Sequence, residues 1–143
     1  GIIMIANLEQ YFEKDYRFYL DRIKFDRIES EEEVGEVSLN CRDSISVAVN
    51  NDEGVTLIIT RKMYFDPNVL FELEVSFGVD LKFIQEKKTE IEWDSVDLAS
   101  EFKKSGEFVL QNIMSRISLL IGQITASFGQ TPLMTPPGIP IEQ

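Results

Sequence analysis

The sequence is poor in residues that carry catalytic chemistry. Its 143 residues include no histidine and one cysteine, Cys41. Without histidine the chain lacks the side chain that most often serves as general base or metal ligand near neutral pH. No glycine-rich phosphate-binding loop follows a predicted strand, and spacing singles out no pair of carboxylates. The sequence therefore predicts no catalytic residue, no metal site and no cofactor, and we expect a protein that is not an enzyme.

Positive charge and long hydrophobic runs are also scarce. The 14 Lys and Arg residues against 25 Asp and Glu residues give a net charge of −11. Such a field repels phosphate backbones, which argues against a nucleic-acid partner. The apolar start from Ile2 to Ile5 is too short for a signal peptide or a membrane span. A single cysteine cannot form an internal disulfide, which is typical of a reducing compartment. We expect a cytoplasmic protein without stable membrane insertion.

Alternating apolar residues predict four antiparallel strands between residues 16 and 83. In the last of them, every odd position from Val69 to Phe83 is apolar, the period of a strand with one buried face. In the first, from Tyr16 to Ile28, the phase of the alternation changes near Arg22, which indicates a β-bulge. The acidic run from Glu29 to Glu33 is expected to be a solvated connection, because consecutive carboxylates cannot all face one metal ion.

Asp43 and Arg61 are the only charged residues on the otherwise apolar odd faces of the second and third predicted strands. If Val49 faces Val55 across the turn, Asp43 faces Arg61. The same register pairs the apolar residues with one another: Val47 with Leu57, Ile45 with Ile59, and Cys41 with Met63. We therefore predict that Asp43 and Arg61 form a structural ion pair that fixes the hairpin.

A long amphipathic helix is predicted after the sheet, with its clearest periodicity from Glu107 to Phe128. Gly129 suits the left-handed residue that closes a helix, and Pro132 prevents continuation. One broad apolar arc of the helix is expected to cover the sheet. On the opposite side a second stripe alternates large and small residues, and we predict that it forms a helix-mediated oligomer interface: Phe108, Ser115, Leu119, Gly122 and Ala126.

These elements predict an α+β fold in which a four-stranded antiparallel sheet carries a long C-terminal helix on one face. At this length the chain is expected to be a single domain. Trp93 is interpreted as the anchor of the polar crossover between sheet and helix. The predicted segments are an N-terminal extension (1–15), the sheet (16–83), the crossover (84–101), the long helix (102–128) and a proline-rich tail (129–143).

Three short motifs resemble those of the SecB family of protein-export chaperones. Ile23-Lys24-Phe25-Asp26 is similar to the Ile-Ser-Phe-Glu of that family's first strand. The segment from Phe71 to Val75 resembles its acidic hairpin segment, and the segment from Phe128 to Pro136 is similar to the turn after its long helix. The order and spacing of these motifs carry the resemblance, which spans roughly Tyr16 to Ile139.

The resemblance implies a SecB-like fold and a cytoplasmic chaperone that binds unfolded polypeptides during protein export. It implies a homotetramer built as a dimer of dimers, and no enzymatic chemistry. It also implies contact with the export motor SecA at Glu74, for which the neighbouring carboxylates Glu72 and Asp26 are further candidates.

Two features depart from the family pattern. Arg22 stands where the family carries an acidic SecA-contacting residue, and a second helix usually follows where this sequence reaches Gln143. Two alternatives therefore stay open beside the export chaperone. One is a SecB-like chaperone dedicated to a single client, such as an antitoxin. The other is an oligomeric adaptor that binds a folded partner through a sheet edge.

Overall fold

Four antiparallel strands form one sheet in a computed structural model of the chain, which describes residues 5–30, 33, 35–128 and 131–139. The strands are β1 (Arg17–Ile28), β2 (Ser38–Asn50), β3 (Gly54–Asp66) and β4 (Leu70–Lys82). Their order across the sheet is β1-β4-β3-β2, so β1 and β2 are the two edge strands. The predicted antiparallel sheet is confirmed.

The central strands, β3 and β4, bury their apolar face almost completely. Odd residues of β3 and β4 face the helices, and Leu57, Ile59, Leu73 and Val75 are all 0% exposed. Each such side chain contributes about 1.5–3 kcal/mol relative to an exposed position. The opposite face of the sheet carries the polar residues of the alternation, as expected for an antiparallel sheet with one solvated side.

The predicted register of the β2–β3 hairpin is confirmed for four pairs: Asp43 with Arg61, Cys41 with Met63, Ile45 with Ile59, and Val47 with Leu57. It is wrong at the turn, where Val49 pairs with Thr56 and not with Val55, because the register shifts between Val47 and Val49. This irregularity adds one residue to β2, as in a β-bulge. In the turn, Oδ1 of Asn51 accepts hydrogen bonds from the main-chain N–H groups of Glu53 and Gly54.

A second register shift divides β1 between Leu20 and Arg22, which confirms the bulge predicted there. On the N-terminal side of this shift, Tyr19 lies directly over Gly78 of β4, so that a Cβ at Gly78 would meet the tyrosine ring. Glycine is therefore required at this position for the edge strand to pack closely.

Three α-helices follow the sheet within the described residues, α1 (Gln85–Lys88), α2 (Leu98–Ser105) and α3 (Glu107–Ala126), and a 3-10 helix, Trp93–Ser95, lies between α1 and α2. The segment predicted as one helix, 102–128, is thus divided at Gly106. The N–H of Gly106 donates to the oxygen of Phe102 at 2.8 Å, while its own oxygen accepts from Val109 and Leu110. One residue therefore ends α2 and begins α3. Gly129, the predicted helix-closing residue, lies outside the described residues.

The N-terminal segment belongs to the core. A short 3-10 helix, Leu8–Tyr11, precedes Phe12, which is 2% exposed and stacks on Phe83 at 5.1 Å between ring centroids. Trp93 lies 4.7 Å from the same Phe83 ring, and its Nε1 donates to the oxygen of Lys88 at 2.9 Å. Trp93 therefore anchors the crossover, as predicted from the sequence.

Candidate functional site

Arg61 and Asp43 form a buried ion pair on the helix-facing side of the sheet. Nε of Arg61 donates to Oδ1 of Asp43 at 2.7 Å, and Nη2 donates to Oδ2 at 2.8 Å. The two side chains are 0% and 5% exposed. A bidentate pair of this geometry forms strong, directional hydrogen bonds. The two charged residues that interrupt the strand alternation are thus brought together.

The same guanidinium binds residues 131–139, the described part of the proline-rich tail, which we call the tail. Nη1 of Arg61 donates to Oγ1 of Thr135 at 2.9 Å and to the main-chain oxygen of Pro136. Nη2 donates to the main-chain oxygen of Gly138 at 3.1 Å. Each nitrogen of the buried guanidinium therefore has an acceptor, which is what a fully buried arginine requires.

Helix α3 forms the other wall around the tail. The hydroxyl of Ser118 donates to the oxygen of Thr135 at 2.5 Å, and the N–H of Leu133 donates to Oγ1 of Thr125 at 2.9 Å. Between these contacts Met134 crosses Gly122, where an added Cβ would lie 3.3 Å from the methionine sulfur. We call the channel lined by Arg61, Ser118, Gly122 and Thr125 the tail groove.

The tail groove was missed from the sequence. The available signal was the spacing of Ser118, Gly122 and Thr125, which places small and hydroxyl side chains along one side of an otherwise apolar helix. The sequence pattern predicts instead that Gly122 leaves room for a second helix. In the structure the chain's own tail occupies it.

Apolar residues are exposed along the edge strand β2. We call this line on the helix-facing side the β2 edge: Val37, Leu39 and Cys41. Within the described sheet β2 pairs only with β3, so alternate main-chain groups of β2 face outward without a strand partner. The thiol of Cys41 is not activated, since partial burial raises its pKa by more than the nearby Arg61 lowers it.

A second apolar surface lies at the opposite edge of the sheet. We call it the β1 flank: Leu20, Ile23, Phe25 and Phe128, which are between 40% and 50% exposed. The rings of Phe25 and Phe128 contact each other with centroids 4.7 Å apart. Since α3 covers the centre of the sheet, this edge retains an uncovered apolar strip on the helix-facing side.

The five interface candidates on α3 occupy three different environments. Phe108 is half-buried, and its ring lies 6.0 Å from that of Phe102 in the core. Gly122 is buried beneath the tail. Ser115, Leu119 and Ala126 are exposed, and Leu119 is the large apolar side chain among them at 59%. The five residues therefore do not form one free stripe.

The three candidates for contact with SecA, Glu72, Glu74 and Asp26, lie together on the outer face of the sheet, away from the helices. Each faces a cation: Glu72 lies 3.6 Å from Lys62, Glu74 3.8 Å from Arg22, and Asp26 3.8 Å from Lys24. Three carboxylates against three cations leave this patch electrically balanced, although the chain as a whole carries −11.

The described part of the chain contains no group of three or more Cys, Asp or Glu side chains arranged to bind a metal ion. In the acidic connection after β1, Glu29 and Glu33 are exposed, and Glu31 and Glu32 lie outside the described residues. Across these same residues, none of the helices combines the length and hydropathy needed to cross a bilayer.

Comparison with known proteins supports the fold. No family model matches the sequence, and no curated protein matches it. A similar solved structure is the SecB-like chaperone Rv1957 of Mycobacterium tuberculosis, in complex with a ChAD peptide from the Rv1956 HigA1 antitoxin. The two chains superpose with a TM-score of 0.63 at 13% sequence identity, over 90% of this chain and 92% of that chain. The protein therefore has a SecB-like fold.

Proposed function

We propose that this protein is a SecB-like chaperone that binds unfolded polypeptide segments without nucleotide or metal. The observation that carries the proposal is the β2 edge, where exposed apolar side chains and free main-chain groups lie along one strand. An extended polypeptide can add to such an edge, because main-chain hydrogen bonds give affinity and apolar contacts select the side chains. Likeness in fold to a SecB-like chaperone supports this function.

The net charge suits this function. A bound unfolded chain exposes further apolar residues, and a charge of −11 on the chaperone repels neighbouring complexes and keeps them dispersed. We place the activity in the cytoplasm, where a lone free cysteine is stable.

A dedicated client is favoured over an export role through SecA. The observation that favours it is the balanced outer patch, in which Arg22 pairs with Glu74 and neutralises the position where the family resemblance implies an acidic contact. The similar solved chaperone is bound to a peptide from an antitoxin. A chaperone that binds unfolded segments in general and has one preferred partner, such as an antitoxin, fits this chain better than a SecA-linked flow of preproteins.

We further propose that the protein assembles into a tetramer, as a dimer of dimers. The β1 flank and Leu119 supply exposed apolar surface that a second copy would bury. Exposed strips of this kind in isolated chains mark interaction sites. Phe108 and Gly122 contribute to folding of the protomer in this proposal, and Ser115, Leu119 and Ala126 remain as interface residues.

Binding of a permanently unfolded probe tests the function. Fluorescence anisotropy of labelled, reduced and carboxymethylated α-lactalbumin should report binding to the wild type. Leu39→Asp should weaken binding at least tenfold, because it places a charge on the β2 edge. Ser44→Asp is the matched control, since Ser44 is exposed on the same strand but faces the other side of the sheet. Equal binding by both variants would remove the β2 edge from the proposal.

A further inference from the structure

The tail groove already holds an extended polypeptide, namely the chain's own residues 131–139. Most of its polar contacts reach the tail's main chain. Arg61 donates to the oxygens of Pro136 and Gly138. Ser118 donates to the oxygen of Thr135, and Thr125 accepts from the N–H of Leu133. Since every residue carries a main-chain oxygen, these contacts depend little on the sequence that supplies them.

The tail is bound in a way that allows another polypeptide segment to replace it. In the described part of the chain, no hydrogen bond joins the main chain of residues 131–139 to the main chain of a strand or helix. The tail is therefore not a strand of the sheet, and its release would break no ladder. Its apolar anchors are Leu133 and Ile139, both partly buried against the core, whereas Met134 is 72% exposed.

We propose that the tail groove is a polypeptide-binding site in which a segment of the client replaces residues 131–139. This inference rests on the proposed chaperone function and adds to it a second site beside the β2 edge. The tail acts as an internal substitute for the client and sets the affinity that an incoming segment must exceed. The client segment is extended, uncharged and apolar at two positions about six residues apart, like the tail between Leu133 and Ile139.

Because of Arg61, replacement of the tail by a client segment is more favourable than release of the tail into solvent with the groove left empty. Its side chain is 0% exposed and donates to three acceptors of the tail. Without the tail, Arg61 keeps its two hydrogen bonds to Asp43, but its Nη1 loses both of its acceptors, and a buried charged donor without an acceptor is destabilising. The empty groove is therefore a poorly populated state, and the tail leaves when another chain offers carbonyl oxygens to the same guanidinium.

The hydroxyl of Thr135 allows a direct test, because it is the tail's only side-chain acceptor for Arg61 among the described contacts. Thr135→Val removes that hydrogen bond, together with the longer one that the hydroxyl donates to Oγ of Ser118 at 3.4 Å, from the tail-bound state and from no client complex. The apparent affinity rises with the fraction of molecules that are open to the client. We expect Thr135→Val to bind carboxymethylated α-lactalbumin at least about fivefold more tightly than the wild type, because a single lost hydrogen bond has about this effect.

Two variants control this result. Thr131→Val makes the same chemical change at an exposed tail residue and should leave binding as in the wild type. Thr135→Ser keeps the hydroxyl and should restore the wild-type affinity. Hydrogen exchange gives an independent readout, since saturating probe should accelerate exchange of the Leu133 amide, which Thr125 protects in the tail-bound state.

The role of Arg61 needs a variant without an orphaned charge. The double variant Asp43→Leu/Arg61→Met replaces the whole pair by apolar residues, which folded proteins tolerate better than the loss of one partner. This variant removes the donors of Arg61 that bind the tail and that would bind the client. It should therefore not show the tighter probe binding expected of Thr135→Val. If the double variant binds the probe as tightly as Thr135→Val does, Arg61 does not donate hydrogen bonds to the client.

The remaining outcomes separate the inference from the proposed function. If the wild type binds the probe but Thr135→Val binds no more tightly than Thr131→Val, the tail is not displaced and the inference is wrong, while the function stands. If neither the wild type nor Thr135→Val binds the probe, the proposed function fails and the inference fails with it.

Discussion

Arg61 binds Asp43 across the β2–β3 hairpin through two parallel hydrogen bonds, of 2.7 and 2.8 Å. The pair lies on the apolar face of the sheet, where each buried charge is stabilised by the opposite charge of its partner. Arg61 uses its remaining donors to bind the tail. One residue therefore links the register of the edge strand β2 to the position of the tail.

The ion pair should show strong energetic coupling. Asp43→Ala and Arg61→Ala should each destabilise the protein by about 3–5 kcal/mol, because each leaves a buried charge without its partner. The double variant should cost less than the sum of the two. Urea unfolding of the wild type and the three variants measures the coupling energy. Additive costs would mean that the pair does not act as a unit.

Gly78→Ala should loosen the edge strand β1. The added methyl group would collide with the ring of Tyr19, which lies over Gly78 in the described structure. Overpacking of this kind costs about 1–3 kcal/mol. The same substitution in a Tyr19→Ala background should cost clearly less, since the ring is gone. Chemical denaturation measures the free energy of unfolding with and without Gly78→Ala in the wild-type and Tyr19→Ala backgrounds. An equal loss of stability in both backgrounds would contradict the contact.

Leu119→Asp should dissociate the assembly and leave the protomer folded. Leu119 is 59% exposed in the single chain, so a charge there becomes costly only when a second copy covers it. Gln111→Asp, on an exposed position of the same helix, is the matched control and should not change the mass. Size-exclusion chromatography with light scattering gives the answer. A monomeric wild type would eliminate the proposed assembly.

Cys41 should react slowly with alkylating reagents. Partial burial is the main cause that raises the pKa of its thiol, and Asp43 adds to it, against an opposing effect of Arg61. Because the thiolate is the reactive form, a raised pKa shifts the alkylation profile to higher pH. Iodoacetamide labelling across a pH series should show a higher midpoint for the folded protein than for the chain in guanidinium. A midpoint at or below the unfolded value would contradict this environment.

Local patterns were sufficient to predict the sheet. Alternation alone located four strands, and the positions of Asp43 and Arg61 fixed the hairpin register, because a slip of one residue would have placed the two charges on opposite faces of the sheet. The bulge before Arg22 followed from a change of phase in the same alternation. These features depend on neighbours within one or two strands, which a sequence displays directly.

Features that depend on distant contacts were not predicted. The bulge between Val47 and Val49 does not interrupt the alternation of apolar residues in the sequence of β3, so the sequence pattern did not indicate it. The tail contacts join Arg61 to residues more than 70 positions away, and hydroxyl groups on a helix do not reveal which backbone they will bind. The exposure of Cys41 follows from the place of β2 at the sheet edge, which alternation does not determine.

Suppression of aggregation measures the central claim most directly. Several unrelated denatured proteins are diluted into buffer with an excess of the chain, without nucleotide or metal, and light scattering is followed over time. We predict delayed and reduced scattering for all of them, with Leu39→Asp less effective than Ser44→Asp, because the β2 edge supplies the binding surface. Scattering curves that match those recorded without the chain would contradict a polypeptide-binding function.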